Sequence, residues 1–318
     1  MKKPIFKNCA AVGTGVIGRG WVRVFIQAGC RTRMFDPDLS QALKAFAWIE
    51  KSLREDVKNG FVKETEAEKQ LTLISVHEHL EEALSEAEYI QESGPESLDI
   101  KKTIFDRIDQ SAQPNAIIAT STSSLDINQI AKGLRGISRC IMAHPFNPPH
   151  IVPLVEVLPT SKTKRRVILQ TLAFLKNIGQ KPVLLNFYIK GFLANRIQAA
   201  VVREAIHLVT KGVASVEDVD MAMREGLGLR WAVLGSFATN HTNADGGIRE
   251  YFTRFGKSYK QVMDDLDWAS PSFDSEMIEI IGKGVDEMVG ETPLDALCFW
   301  RDRMVRKIRA LKSEDPLL

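Results

Sequence analysis

Cys9-Ala-Ala-Val12-Gly13-Thr14-Gly15-Val16-Ile17-Gly18 opens the stretch on which the fold turns, and Thr32-Arg33-Met34-Phe35-Asp36 closes it. The first four residues are a short apolar run with strand character. Gly13, Gly15 and Gly18 follow at once in the pattern G-x-G-x-x-G. Residues 19–27 then carry Trp21, Val22, Val24, Phe25 and Ile26, which suits a largely buried helix. Gly29 stands just past it as a stop. Residues 32–35 make a second short strand. The order strand, glycine turn, helix, strand is the start of a βαβ unit.

Each part has a physical consequence. Gly13 permits a tight turn, Gly15 leaves the backbone open to a pyrophosphate, and Gly18 lets the helix pack close to the strand. The helix start offers unpaired N–H groups and a positive dipole end to phosphate. Asp36, eighteen residues beyond Gly18, can accept bonds from ribose hydroxyls and would repel a 2′-phosphate. The expected cofactor is therefore NAD, although Arg31 and Arg33 pull weakly towards NADP. Thr14 lies inside the same loop and is counted with it.

The rest of the composition bounds the possibilities. At 318 residues the chain has room for two domains. Apolar residues make up 44% and charged residues 26%, as in an ordinary globular enzyme. A net charge of +2 gives no footprint for nucleic acid or an anionic membrane. No apolar run approaches the ~18 residues of a membrane span. Met1-Lys-Lys-Pro-Ile lacks the apolar core of a signal peptide. Cys9, Cys30, Cys140 and Cys298 are scattered, without metal-ligand spacing. A cytoplasmic protein with reduced thiols and no metal is the expectation.

Along the chain, helices are expected over residues 39–59, 63–70, 80–87, 99–110, 126–134 and 167–178. Strands are expected over 71–76, 89–92, 116–119, 140–143, 151–157 and 181–185. This alternation calls for a mostly parallel sheet covered on both faces. From Phe192 onward the pattern is helical, over 192–210, 216–224, 276–289 and 293–312. Gly226, Gly228, Gly235, Gly246, Gly247 and Gly256 read as punctuation between the helices. The expected domains are therefore 1–189, α/β, and 190–318, all-helical. The tail, 313–318, reads as disordered.

Three polar sites fall at or near strand ends, where ligands gather in an open parallel sheet. Ser123 follows the strand 116–119. His144 follows 140–143, in His144-Pro-Phe-Asn147-Pro-Pro. Glu156 lies inside the apolar Pro153-Leu-Val-Glu156-Val, and a buried acid needs a partner. His144 is the obvious one, since a carboxylate fixes one imidazole tautomer and makes the other nitrogen a base. Ser123 and Asn195, taken alone, also fit a helix cap and a surface amide.

Thr122-Ser123-Ser124-Leu125, His144-Pro-Phe-Asn147-Pro, Leu154-Val-Glu156-Val and Gly191-Phe-Leu-Ala-Asn195-Arg196 resemble the signature of the 3-hydroxyacyl-CoA dehydrogenase family, over nearly the whole chain. The resemblance implies a Rossmann-type doubly wound sheet followed by a helical domain that makes a homodimer. It implies that His144 is the general base for oxidation of a 3-hydroxyl, oriented by Glu156. Ser123 and Asn195 would hydrogen-bond the substrate oxygen, and C3 would give hydride to NAD. Val16, Ile17, Asp36, Glu96 and Lys101 would contact NAD.

Within the family, Glu225-Gly-Leu-Gly-Leu-Arg230-Trp231 and His241-Thr-Asn243-Ala-Asp-Gly are similar to the lambda-crystallin (L-gulonate 3-dehydrogenase) and L-carnitine dehydrogenase branch. The acyl-CoA enzymes typically lack this arginine. Gulonate and carnitine carry a free carboxylate, which Arg230 can bind through two parallel hydrogen bonds; a structural ion pair is the other use for it. Asn147 and Trp231, inside these motifs, are expected beside the substrate. The expected reaction is NAD-dependent oxidation of a small 3-hydroxy acid, with L-gulonate first. L-carnitine and short-chain 3-hydroxyacyl-CoA are the alternatives. An NAD-holding protein without turnover, as a crystallin can be, would sit poorly with so complete a set of site residues.

Overall fold

The computed structural model describes residues 3–266 and 269–314. Eight strands form one sheet: β1 Asn8–Val12, β2 Arg31–Phe35, β3 Ile74–His77, β4 Tyr89–Glu92, β5 Ile117–Thr120, β6 Cys140–Pro145, β7 Leu154–Pro159 and β8 Lys181–Leu184. Their order is β3-β2-β1-β4-β5-β6-β7-β8. Every neighbouring pair is parallel except β6 and β7. The sheet is the doubly wound, mostly parallel one expected, and its direction of winding reverses between β1 and β4.

Strand alternation builds the core on both faces. Ala10 and Val12 of β1, with Cys140 and Met142 of β6, pack with Leu80, Phe105 and Ile108 of the helices on one side. Cys9, Ile141 and Ala143 face the other way, against Trp21 and Phe25 of helix Val16–Gln27 and Phe174 of helix Arg165–Asn177. Strand β1 is buried almost completely, which is why its sequence is an apolar run without polar alternation.

The chain divides into two compact units at Leu193/Ala194. The second is helical: Ala194–Thr210, Val216–Met221, Gly228–Val233, Ser236–His241, Gly247–Asp265, Ser275–Val289 and Leu294–Glu314, with a π turn at Ala222–Leu227. Among the described residues of this unit only Thr239, Gly247 and Met277 are buried.

Several expected elements differ in extent. The helix expected over 126–134 is only Ile127–Ile130, capped by the Asp126 carboxylate, and Gly133 follows at φ +89°. The helix at 80–87 stops at Leu84. Strand β6 runs on through His144 and Pro145, past the end expected at Ala143, because antiparallel β7 gives those residues a partner. Gly226, Gly228 and Gly256 interrupt nothing. A Cβ on Gly228 would meet the Met223 carbonyl at 2.7 Å, so the π turn itself requires that glycine. Ser313 ends inside the last helix, and residues 315–318 of the tail lie outside the described residues.

Gly18 is the tightest point of the opening unit, since a Cβ there would fall 1.9 Å from the Gly13 carbonyl oxygen. Backbone cannot yield as a side chain tip can. Gly18→Ala is expected to destabilise the protein by ~1–3 kcal/mol, read as a lowered midpoint in thermal unfolding. An unchanged midpoint would show that helix and loop are not locked at this contact.

Candidate active site

His144 and Glu156 face each other across β6 and β7. They are register partners in the antiparallel pair, so their side chains share one face of the sheet. His144 Nδ1 lies 2.9 Å from Glu156 Oε2, and both residues are buried. Glu156 Oε1 accepts the Leu193 amide at 2.8 Å. The carboxylate therefore holds both the imidazole and the segment before helix Ala194–Thr210. Nδ1 is committed to the carboxylate, which leaves Nε2 outside this pair. Phe192, at 0% exposure and φ +52°, packs its ring 5.5 Å from the imidazole. Phe192 also meets Tyr188 edge-on, and the Tyr188 hydroxyl donates to the Ser124 carbonyl at 2.8 Å. The serine loop thus reaches the histidine through two aromatic side chains.

That loop is organised by one carboxylate oxygen. Glu96 Oε1 accepts from the Thr122 hydroxyl at 2.7 Å, from the amides of Ser123 and Ser124 at 2.9 Å, and from the Ser124 hydroxyl at 2.9 Å. The Ser123 hydroxyl makes the longest of these bonds, 3.3 Å, and Ser123 is exposed. It is the donor most easily turned to a ligand. Burial alone would raise the Glu96 carboxyl; the hydroxyls of Thr122 and Ser124 and the charge of Lys101 outweigh it and lower it.

Lys101 is 1% exposed. Its ammonium donates to both oxygens of buried Glu92, at 2.8 and 3.0 Å, and to the Gly94 carbonyl at 3.2 Å, with Glu96 3.9 Å away. The resemblance puts Lys101 in contact with NAD; in the chain itself it is buried and bonds Glu92 and the Gly94 carbonyl. Thr120 also donates to Glu92, so the ends of β4 and β5 share this ion pair.

At the carboxyl ends of β1, β2 and β4 there is a cavity of about 410 Å³. Of the expected cofactor residues, Gly13, Gly15 and Asp36 line it, with Phe35, Leu80, Ile104 and Arg107. Asp36 Oδ2 accepts the Thr14 amide at 2.8 Å and the Thr14 hydroxyl at 3.0 Å, which ties the glycine loop to the end of β2. Gly15 caps helix Val16–Gln27 without a side-chain bond, and a Cβ on it would meet nothing within 4 Å. Gly18 is buried, and Val16 and Ile17 open the first turn of the helix. Open space at a helix start beside an acid fits a dinucleotide. Arg33 is spent on the Glu82 carbonyl, Ser85 and Glu86, so it does not offset Asp36.

Asn147 is exposed on the turn between β6 and β7. In the helical unit, Asn195 is half-buried in the first turn of Ala194–Thr210, and Arg230 and Trp231 lie on helix Gly228–Val233, Arg230 exposed. His241 Nδ1 accepts the Ile248 amide and Thr242 donates to the Thr239 carbonyl, so two polar groups of segment 240–243 are used within the fold. Tyr251 and Tyr259 share a hydroxyl bond of 3.1 Å on helix Gly247–Asp265, with Asn243 and Arg230 close enough to Tyr251 to act on its hydroxyl. Among the described residues no group of three or more His, Cys, Asp or Glu side chains could hold a metal, and no helix is long and apolar enough to cross a membrane.

Sequence reasoning missed Glu92, Thr122, Ser124 and Phe192. Glu92 had a usable signal, an acid at the end of an apolar strand, the same one that exposed Glu156. Phe192 had none, because its role follows from a left-handed backbone position.

Comparison with known proteins agrees with this layout. The family model described as 3-hydroxyacyl-CoA dehydrogenase, NAD binding domain, matches residues 8–187, and that of the C-terminal domain matches 191–280. The chain is similar to a lambda-crystallin homolog of Bos taurus, 37% identical over 96% of each chain. It is similar to an L-carnitine dehydrogenase of Streptomyces coelicolor, 33% identical over 95% of this chain and 93% of that one. Its fold matches the NAD+-dependent 5-formyl-3-hydroxy-2-methylpyridine 4-carboxylic acid 5-dehydrogenase with a TM-score of 0.79 at 21% identity, covering 96% and 98% of the two chains.

Gly15→Ala provides the counterpart to Gly18. With φ −60° and open space around the new methyl, the unfolding midpoint is expected to hold. NAD affinity, measured by calorimetric titration, is expected to fall about tenfold or more, because the methyl occupies the approach to the backbone. Unchanged affinity would move the pyrophosphate away from Gly15.

Proposed function

The chain belongs to the 3-hydroxyacyl-CoA dehydrogenase family, and we propose that it oxidises the 3-hydroxyl of a small free 3-hydroxy acid, L-gulonate first, to the 3-keto acid. The observation that carries this reading is the buried His144–Glu156 pair, with Nδ1 committed and Nε2 left for the substrate. His144 Nε2 takes the hydroxyl proton, and Glu156 stabilises the imidazolium that results. The Ser123 hydroxyl and the Asn195 amide hold the substrate oxygen as it becomes a carbonyl. NAD, when bound by Gly13, Thr14, Gly15, Val16, Ile17, Gly18 and Asp36, supplies the acceptor for the hydride that leaves C3. Glu96 holds the Ser123 loop against this site, with Lys101 behind it. Arg230 binds the free carboxylate, with Trp231 and Asn147 on the substrate side.

One observation favours L-carnitine as the second reading. Tyr251, Phe252, Phe255 and Tyr259 make contacting aromatic pairs on one helix, and Arg230 acts on Tyr251. Aromatic faces suit a trimethylammonium group, and an arginine suits the carboxylate at its other end.

A second copy of the chain completes the helical unit in this reading. Phe237 and Leu294 are each 76% exposed, and Val262, Trp300 and Leu311 are exposed as well. A homodimer formed through this unit is checked by sedimentation equilibrium; a monomer at micromolar concentration would refute it. The four free cysteines suit the reducing cytoplasm, where we place the protein.

NADH formation at 340 nm with L-gulonate, L-carnitine, L-3-hydroxybutyrate and L-3-hydroxybutyryl-CoA tests the substrate class. A free acid is expected to lead; a leading thioester would remove the free-acid reading. Arg230→Met is expected to raise KM for the leading acid about tenfold or more, and an unchanged KM would return Arg230 to a structural role. His144→Ala is expected to lower kcat by roughly 10²–10⁴ while NAD affinity holds. An equal loss of affinity would contradict its role in proton transfer.

A further inference from the structure

Arg19 follows directly on Gly18 and lies in the first turns of helix Val16–Gln27. Its guanidinium sits 4.2 Å above the Trp48 ring. Its Nε is buried and has no hydrogen-bond partner, and among the described residues its guanidinium forms no ion pair. Arg23 and Lys101, both buried in the same unit, are ion-paired: Arg23 with Asp56 at 2.6 Å and Lys101 with Glu92 at 2.8 Å. A cation drawn partly out of water without a counter-charge is costly. The indole face repays part of that cost and fixes the plane of the guanidinium.

The turn that follows the candidate base packs against the neighbours of Arg19. The turn that leaves His144 folds back on itself, with the amides of Ile151 and Val152 both donating to the Pro148 carbonyl. Phe146 of this turn meets His144 edge-on, with ring centres 6.0 Å apart. Pro149 presses on Gly20, where a Cβ would fall 2.6 Å from its Cδ. His150 meets Trp48 edge-on at 5.7 Å. One turn thus joins the base to Gly20, next to Arg19 in sequence, and to Trp48, which carries the guanidinium. On the other side of Arg19, four residues back, is the uncapped helix start at Gly15.

We propose that Arg19, carried flat on Trp48, is an anion-binding residue of the active site that takes the two oxygens of a carboxylate or phosphate group. The inference rests on the dehydrogenase reading above. The substrate carboxylate is one source of such a group and the cofactor pyrophosphate the other. A planar fork held on an aromatic face suits paired oxygens in a way a lysine ammonium does not. Burial also lowers the Arg19 pKa, as expected for a cation that lacks its counter-charge.

The test uses full-length Arg19→Met, Arg19→Lys and Trp48→Leu. Two constants are read for each: the NAD Kd by calorimetry without substrate, and KM for the leading acid at saturating NAD. If the anion is the substrate carboxylate, Arg19→Met raises KM about tenfold or more and leaves the NAD Kd within about twofold. If it is the pyrophosphate, the NAD Kd rises by a similar factor and loses part of its salt dependence. Either result supports the anion site. Arg19→Lys is expected to recover only part of the lost constant, and Trp48→Leu to shift the same constant in the same direction. Should Arg19→Met fail to fold, Arg19→Lys keeps the charge and still reads the loss of the fork. Both constants unchanged in a folded variant would overturn the proposal and leave Arg19 as packing. If wild-type enzyme prefers the thioester, the free-acid reading fails separately, while the NAD Kd still decides for or against the pyrophosphate arm.

Discussion

The Glu156 carboxylate is the constraint on which the site depends. An acid in the middle of a buried strand costs several kcal/mol unless its oxygens are filled. Oε2 is filled by His144 and Oε1 by the Leu193 amide. The arrangement exists because β7 runs antiparallel to β6, the one antiparallel pairing in the sheet. Had β7 been parallel to β6, the short turn between them would have been replaced by a long crossover. Residues twelve apart could not then stand opposite one another. The reversal of direction between β6 and β7 is thus what turns two sequence motifs into a pair.

The same economy governs the cofactor side. Glu92, Glu96 and Asp36 stand near the crevice, and each is filled by the chain: Glu92 by Lys101 and Thr120, Glu96 by the 122–124 loop, and Asp36 by Thr14. These bonds tie the ends of β1, β2, β4 and β5 together at the edge where a ligand approaches. Bonds to charged groups in a low-dielectric setting are the strong ones, so the crevice is shaped before a ligand arrives.

The opening βαβ unit was legible because glycine geometry, strand burial and acid spacing all converge within twenty-eight residues. The His144–Glu156 pair was legible because an isolated buried acid demands a partner. What could not be read was direction and depth. Sequence spacing alone gives no sign that Lys101 lies under its loop, since a lysine on an amphipathic helix reads as exposed. Nor does it show that His144 lies within β6, because strand length there is set by the partner strand. Glycines 226, 228 and 256 misled for a related reason: tertiary packing and a π turn override their low helix propensity.

The two units differ in how they meet the requirement of burial. Strands of the first are covered on both faces, by three clusters of buried side chains. The helical unit spreads its apolar side chains over its surface, with three buried residues among those described. Helices of this length gain most of their stability from tertiary packing, not from propensity. A second copy laid against these faces would supply that packing. Exposure at Arg230 and Tyr259, seen in a single chain, would then be an upper bound for such a dimer. Electrostatic interactions strengthen as water is excluded, so an arginine exposed in one chain can become an effective carboxylate site once a partner covers its surroundings.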